Sequence, residues 1–416
     1  MAIVVAAAVS SAAAQSGRTT IQLKGSIGLN DSLVVSILTM GQGKEIFDRF
    51  GHIAIRVRNP GTGLDSAWNW GMYDFDSPNF LSRWLTGKTQ YWAAAFPSPL
   101  FIDYYKREGR AVWEQVIDLD RQEADSLLTL LRWQVRNENK FYRYDYYLDN
   151  CSTRVRDALD AVLGGALKRK LTGPGDGVTW RGETLRLSAT FPAIAFGMTF
   201  ALGPRADEKI SEWDELFIPM RLRDRIRDLK VTRASGERPL VSSEQVLVAP
   251  GQFVEAASPP SFVAAGGILG VALAALIYAL GRIGSRSAGA RIALGAFASL
   301  WHFVAGFAGT LVLWAGLFTR HAFMAGNTSV LLGTPVSLAL AVMIPLALSA
   351  RATLPLRKAT MALSTFVALE ALACVVVYLV ASHASRDLSP WMLAIQVHAA
   401  LAVVLYRLLR EKPATA

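Results

Sequence analysis

Five apolar stretches, each about 20 residues long, occupy the C-terminal part of this 416-residue chain and decide its class. They follow a Ser258-Pro259-Pro260 linker and lie near residues 261–281, 291–317, 328–349, 360–381 and 389–408. A helix of about 20 apolar residues crosses the roughly 30 Å of hydrocarbon in a bilayer. The chain, 52% of whose residues are hydrophobic, is therefore predicted to carry an all-α domain of five transmembrane helices over residues 258–416.

The basic residues around these stretches predict their orientation. The second and fourth loops contain only Arg320 and Arg386. The first loop, the third loop and the tail share nine: Arg282, Arg286, Arg291, Arg351, Arg357, Lys358, Arg407, Arg410 and Lys412. Lys and Arg mark the cytoplasmic side of a membrane protein. We therefore expect a cytoplasmic C-terminus and, because the number of spans is odd, an N-terminal domain on the opposite side.

The N-terminus supports export of that domain. Residues 1–15 form a short apolar run that ends in Ala12-Ala13-Ala14-Gln15, which is typical of a secretory signal peptide. Residues 16–257 are then an exported domain, in which basic and acidic residues nearly balance. After residue 260 there are 11 basic and 3 acidic residues, so the net charge of +10 comes mainly from the membrane part. This charge indicates topology, and nucleic-acid binding is not expected.

The exported domain has an α+β pattern. Strands are predicted over Ser32–Thr39, Ile53–Val57, residues 67–70 and Arg110–Ile117, and Asn59–Gly63 is predicted to form a hairpin turn. Helical spacing is found over Asn79–Leu85, Leu100–Lys106, Asp120–Val135 and Arg154–Leu163.

One histidine and one cysteine occur in this domain, His52 and Cys151. Thiol catalysis needs this pair, because the thiolate is the nucleophile and an imidazole shares its proton. His52 is predicted at the start of a strand and Cys151 at the start of a helix, where the helix N-terminus and an imidazolium would lower the pKa of the thiol. Taken alone, Cys151 is more commonly an inert buried thiol, and His52 is more commonly a surface residue. The two together favour a catalytic pair.

A third group is needed to orient the imidazole. Asn69 lies on the strand predicted to pair with the histidine strand. Asp74 and Asp76 in the following turn are alternatives. Such residues more often bond to their own backbone in a turn.

Arg154 is one helical turn after Cys151 and could bind a phospholipid phosphate. A structural ion pair with Asp149 or Asp157 is the alternative.

Glu370 lies inside the fourth apolar stretch, where a carboxylate is costly and often functional. His302 and His398, in the second and fifth stretches, could be its partners. A protonated Glu370 that bonds between helices is equally compatible with the sequence.

Several motifs together resemble the Lnb lipoprotein N-acyltransferases. They are Gly51–Val57, Asn69–Phe80, Arg107–Arg110, Tyr144–Arg154, Glu215–Pro219 and Pro239–Val241, followed by five spans with His321 and Asn327 in an external loop. The resemblance implies a circularly permuted papain-like fold, as in NlpC-type peptidases and lecithin:retinol acyltransferase, with Cys151, His52 and Asn69 as catalytic residues. It also implies a bacterial inner-membrane enzyme that moves an acyl chain from a phospholipid to the α-amine of a diacylglyceryl-cysteine lipoprotein. The candidates for substrate binding are then Glu370, Arg154, His321 and Asn327.

Two other functions fit the same residues. One is a membrane-anchored papain-like peptidase or amidase that acts on the cell wall, although a single anchor would serve it. The other is a non-catalytic envelope sensor, which would not need Cys151. The sequence has no histidine pair at metal-ligand spacing and no glycine-rich phosphate loop, so no cofactor is expected.

Overall fold

A computed structural model describes residues 33–233, 236–380 and 388–410. The predicted signal peptide, residues 1–15, and the topology markers Arg386 and Lys412 lie outside the described residues. The described chain forms two compact units. One comprises residues 33–191 and 209–258, and the other comprises residues 192–208 and 259–410.

The first unit is built on an antiparallel sheet of seven strands. Its strands along the chain are β1 (Val34–Met40), β2 (His52–Asn59), β3 (Leu64–Met72), β4 (Gln90–Pro97), β5 (Val112–Ile117), β6 (Phe141–Arg143) and β11 (Val241–Val248). Their order across the sheet is β11-β5-β1-β2-β3-β4-β6. Two small sheets pair β7 (Pro174–Thr179) with β8 (Lys209–Ser211), and β9 (Lys230–Arg233) with β10 (Gly236–Pro239).

Helices of this unit surround the sheet. They are α1 (Phe80–Leu85), α2 (Ser98–Arg107), α3 (Arg121–Gln134), α4 (Cys151–Val162), α5 (Ala166–Lys170), α6 (Trp180–Leu187), α8 (Glu212–Glu215) and α9 (Pro219–Arg227). The remaining helix of this stretch of chain, α7 (Pro192–Ala201), belongs to the other unit.

Alternation along the strands gives the sheet two apolar faces. Ile53 and Ile55 of β2 belong to the main core with Leu127 of α3 and Leu159 of α4. Ala54, between them, belongs instead to a smaller core that includes Tyr105 of α2 and Met40, Leu38, Ala67 and Val112. Because successive side chains of a strand point to opposite faces, α3 and α4 cover one face and α2 covers the other.

The predicted elements of this unit are confirmed within a few residues. The turn between β2 and β3 forms where Asn59-Pro-Gly-Thr-Gly63 predicts it, and Asn59 Oδ1 accepts hydrogen bonds from the backbone N–H of Gly61 and Thr62 at 2.9 and 3.2 Å. The helix expected from Arg154 begins three residues earlier, at Cys151. The cause is the side chain of Asn150, which caps this helix.

Five helices of the second unit are long and apolar enough to cross a membrane. They are α10 (Val263–Gly284), α11 (Ala288–Phe318), α12 (Pro335–Ala347, extended at its N-terminus by a 3-10 turn over Thr328–Leu332), α13 (Leu354–Val380) and α14 (Ser389–Arg410). Gly309 of α11 lies directly against the backbone of Gly333, so that even a methyl group would clash there. The chain is a membrane protein with five candidate spans, as the sequence predicts.

Residues 192–208 lie within the predicted exported domain but group with the membrane helices. α7 consists almost entirely of apolar residues, and its end is bound by the loop between α11 and α12 of the same unit. The amide Nδ2 of Asn327 donates to the carbonyl oxygens of Phe200 and Ala201, both at 2.8 Å.

Candidate active site

Cys151 is the first residue of α4, and its position is fixed by the residue before it. Asn150 Oδ1 accepts hydrogen bonds from the backbone N–H of Ser152 and Thr153 at 2.8 and 2.9 Å. Its Nδ2 donates to the carbonyl oxygen of Phe217 at 2.9 Å. Asn150 is only 5% exposed, and its side-chain amide bonds at both ends. This capping residue therefore fixes the position at which the helix begins. The thiol thereby lies at the positive end of the helix and remains partly exposed.

The sulfur of Cys151 faces backbone donors from two elements. The N–H groups of Ile53, Ser152 and Cys151 itself are within hydrogen-bonding reach of a thiolate at this position. Ile53 directly follows His52 in β2, so the thiol lies against the start of the histidine strand. Gly71 on β3 lies directly beside Cys151, since a Cβ atom there would be 3.9 Å from the Cβ of Cys151.

Asn69 lies beside the imidazole, on the same face of the sheet. β2 and β3 pair with Ala54 opposite Asn69, which places His52 two residues along on that face. A hydrogen bond joins the Asn69 side chain to the ring, as expected when a ring N–H donates to Oδ1. The Asn69 Nδ2 donates to the Ala94 carbonyl oxygen at 3.2 Å, so the amide is held from both ends. The structure therefore brings Cys151, His52 and Asn69 to one end of the sheet.

The thiol and the imidazole are both neutral at physiological pH. Burial raises the pKa of Cys151 to about 11, and the backbone donors and Arg110 only partly oppose it. Burial, reinforced by the positive charge of Arg110, lowers the pKa of His52 to about 4 against the effect of Asn69. The expectation of a thiolate stabilised by an imidazolium is therefore wrong for this state. The reason is that removing either ion from water costs more than the neighbouring dipoles return.

Arg110 is a further component of the site, in addition to the three residues expected from the sequence. Its guanidinium is almost wholly buried and donates to the Gly41 carbonyl oxygen at 2.9 Å and to Asp48 Oδ1 at 2.5 Å. It also lies 4.8 Å from the ring centroid of Tyr105, which in turn stacks on His52 at 6.1 Å. Its charge lowers the pKa of both His52 and Cys151. Its place just before β5, next to the end of β1, follows from strand pairing. The signal that could have found it is the motif Arg107–Arg110.

Two alternatives raised by the sequence have structural partners. Asp74 Oδ1 accepts from the backbone N–H of Asp76 at 2.9 Å, which is the ordinary turn contact of such a residue. Arg154 binds Asp149 with two nitrogens, at 2.5 and 2.7 Å, and lies over the ring of Tyr142. A phosphate would have to displace this ion pair to use Arg154.

The candidate residues of the second unit form separate groups. Thr334 donates to Glu370 Oε2 at 3.0 Å. The rings of His302 and His398 lie 5.2 Å apart, and His398 Nε2 bonds to the Leu332 carbonyl oxygen at 3.0 Å. Of the two alternatives for Glu370, this bond agrees with the one in which the carboxyl group bonds between helices, since Thr334 precedes α12 and Glu370 lies in α13.

The loop between α11 and α12 holds the other two candidates. His321 precedes a 3-10 turn, and its carbonyl oxygen accepts from the Met324 N–H at 3.0 Å. Asn327 is 7% exposed and accepts from the Ser329 N–H at 2.9 Å in addition to binding the end of α7. These contacts give Asn327 a structural role in this loop.

Part of the first unit is similar to a known protein family. Residues 28–182 match the family model of the Lnb N-terminal periplasmic domain. The resemblance read from the sequence is thus confirmed over these residues, which include His52, Asn69, Arg110 and Cys151. Comparisons with curated proteins and with solved structures give no match. The chain accordingly has a sheet-rich N-terminal unit, which over residues 28–182 is similar to the Lnb periplasmic domain, followed by an all-α region with five apolar helices.

Proposed function

We propose that the chain is a cysteine-dependent acyltransferase that moves an acyl chain from a phospholipid to the N-terminal amine of diacylglyceryl-cysteine lipoproteins. The observation that carries the proposal is the position of Cys151, at a helix N-terminus, against the strand that begins with His52. The match to the Lnb periplasmic domain and the five apolar helices support a lipid-modifying function. The fold of the first unit is proposed to be a permuted papain-like domain, with the histidine before the cysteine in sequence.

The first half-reaction forms a thioester. His52 takes the thiol proton of Cys151 as the sulfur attacks the ester carbonyl of the donor, and a C–S bond forms. Because the resting pair is neutral, the proton moves together with the attack. The C–O bond of the donor ester then breaks, and the lysophospholipid leaves with the proton from His52. The N–H groups of Cys151 and Ser152 are suited to stabilise the developing oxyanion.

The second half-reaction consumes the thioester. The lipoprotein amine attacks the thioester carbonyl and an N-acyl bond forms. The C–S bond breaks, and the sulfur of Cys151 receives the amine's proton through His52. Asn69 keeps the imidazole oriented through both steps. No cofactor is needed, since the donor ester is the acyl source and every proton is returned.

The topology proposed from the basic loops agrees with this chemistry. The first unit would lie on the periplasmic side of the inner membrane and the C-terminus in the cytoplasm. Both substrates are anchored in that bilayer, so neither has to be fully extracted into water to reach the thiol.

The test follows the product by mass spectrometry. Purified full-length protein is incubated with phospholipid and a diacylated lipoprotein, and the N-terminal lipopeptide is examined for a third acyl chain. Cys151→Ala and Cys151→Ser should abolish the gain, whereas Cys374→Ala, which removes the other thiol, should retain it. Asn69→Ala should lower the rate less than His52→Ala, because the base is misoriented but present. Wild-type protein that never adds the chain would refute the acyltransferase, and release of cell-wall fragments instead would favour the hydrolase.

A further inference from the structure

A row of aromatic side chains leads from the candidate nucleophile to the surface of the first unit. Tyr144 stacks on Tyr91 with ring centroids 4.2 Å apart, Tyr91 lies 5.4 Å from Tyr73, and Tyr73 lies 4.7 Å from Phe75. We call Tyr144, Tyr91, Tyr73 and Phe75 the aromatic row. The rings come from β4 and from the segments that follow β3 and β6. Their contacts form one continuous apolar track.

The inner end of the aromatic row lies at the thiol. The position that a Cβ atom would take on Gly71 is 3.9 Å from the Cβ of Cys151 and 4.0 Å from Cε2 of Tyr144. Gly71 has φ +98°, a conformation that side-chain-bearing residues rarely adopt, so this position favours glycine. Cys151 and Tyr144 therefore lie on the same side of Gly71, with no side chain between them.

The outer end is exposed and apolar. Phe75 is 62% exposed, and Phe47, whose ring lies 6.4 Å from that of Tyr73, is 54% exposed. Phe80 packs 5.1 Å from Phe75 and widens the track. Grouped exposed aromatic rings are costly in water and usually mark a site that binds an apolar partner.

We propose that the aromatic row binds the acyl chain of the donor while its carbonyl carbon is joined to Cys151. This assignment rests on the proposed acyl-thioester, and it names the subsite that would hold the acyl chain of that thioester. The chain must start at the sulfur, and the row starts there. Asp74 and Asp76 flank the exposed end and would repel a phosphate, so the hydrocarbon and not the headgroup lies along the row.

Burial along the row should make acylation depend on chain length. Each methylene removed from water contributes about 0.8 kcal/mol, or about fourfold in rate when the contact is fully formed. A long acyl ester should therefore react faster than a short one with the same leaving group.

The experiment compares p-nitrophenyl laurate with p-nitrophenyl butyrate. Full-length protein in one detergent is mixed with each ester, and the nitrophenolate burst and the mass of acylated Cys151 are recorded, with Cys151→Ala as background. The wild type should prefer laurate. Phe75→Ser should reduce the ratio of the laurate rate to the butyrate rate about tenfold, for roughly 50 Å² of lost apolar contact. Trp133→Ser, which removes another exposed aromatic ring from α3, should leave the ratio unchanged.

The outcomes separate the two proposals. Acylation of Cys151 without a laurate preference, or with a preference that survives Phe75→Ser, overturns the role of the aromatic row and leaves the thiol chemistry standing. An equal loss in Trp133→Ser also overturns it, because the effect would then be general to exposed rings. Failure of both esters to acylate wild-type Cys151 refutes the thioester itself, and the row loses its assigned ligand with it.

Discussion

The resting protonation of Cys151 gives the sharpest prediction, because the structure reverses what the sequence suggests. With a pKa of about 11, only about one thiol in a thousand is ionised at pH 8. An ordinary cysteine with a pKa of about 8.5 is ionised to about a quarter at that pH. Iodoacetamide reacts with the thiolate, so Cys151 should be alkylated roughly two hundred times more slowly than a reference peptide.

The assay uses full-length Cys374→Ser protein, in which Cys151 is the only thiol, and follows alkylation by intact mass from pH 5 to 10. The rate should rise about tenfold for each pH unit up to pH 10, without a plateau. Restricted access of the reagent would also slow the reaction but would keep the ordinary midpoint near 8.5. A rate that is constant between pH 5 and 8 would show a preformed thiolate, and the argument from burial would then be wrong.

Three further perturbations test the surroundings of the thiol and the topology. Arg110→Gln should move the alkylation profile of Cys151 to higher pH, because the positive charge that lowers the pKa of the thiol is removed. The control Arg56→Gln breaks a buried ion pair of the same sheet and should leave the profile unchanged. Equal shifts in the two variants would contradict the local role of Arg110. Asn150→Ala should cost about 2–4 kcal/mol of unfolding free energy, since it removes the helix cap and leaves buried carbonyl groups unpaired, and an unchanged melting temperature would contradict this. A reporter fused after Ala416 that works only when exported should stay silent, and its activity would exclude the proposed five-span topology.

Local features of the sequence predicted much of this protein. Apolar length is enough to identify five spans, because the bilayer sets the length of a helix that crosses it. Strand alternation and the turn at Asn59–Gly63 predicted the β2–β3 hairpin, which places Asn69 on the strand next to that of His52. The start of α4 at Cys151 is a local matter too, since Asn150 bonds to N–H groups only two and three residues away.

Tertiary structure decided the electrostatics of the site. Arg110 comes 58 residues after His52 in the chain, and only the pairing of β1 with both β2 and β5 brings them to one end of the sheet. The pKa values depend on how much water the packed sheet, helices and rings exclude, which no motif encodes. The sequence also could not show that α7 groups with the membrane helices. It left Arg154 open between a phosphate and an ion pair with Asp149 or Asp157, and the structure shows the pair with Asp149. Spacing along the chain determines which residues can share an element, whereas contacts between distant elements determine the charge that a residue carries.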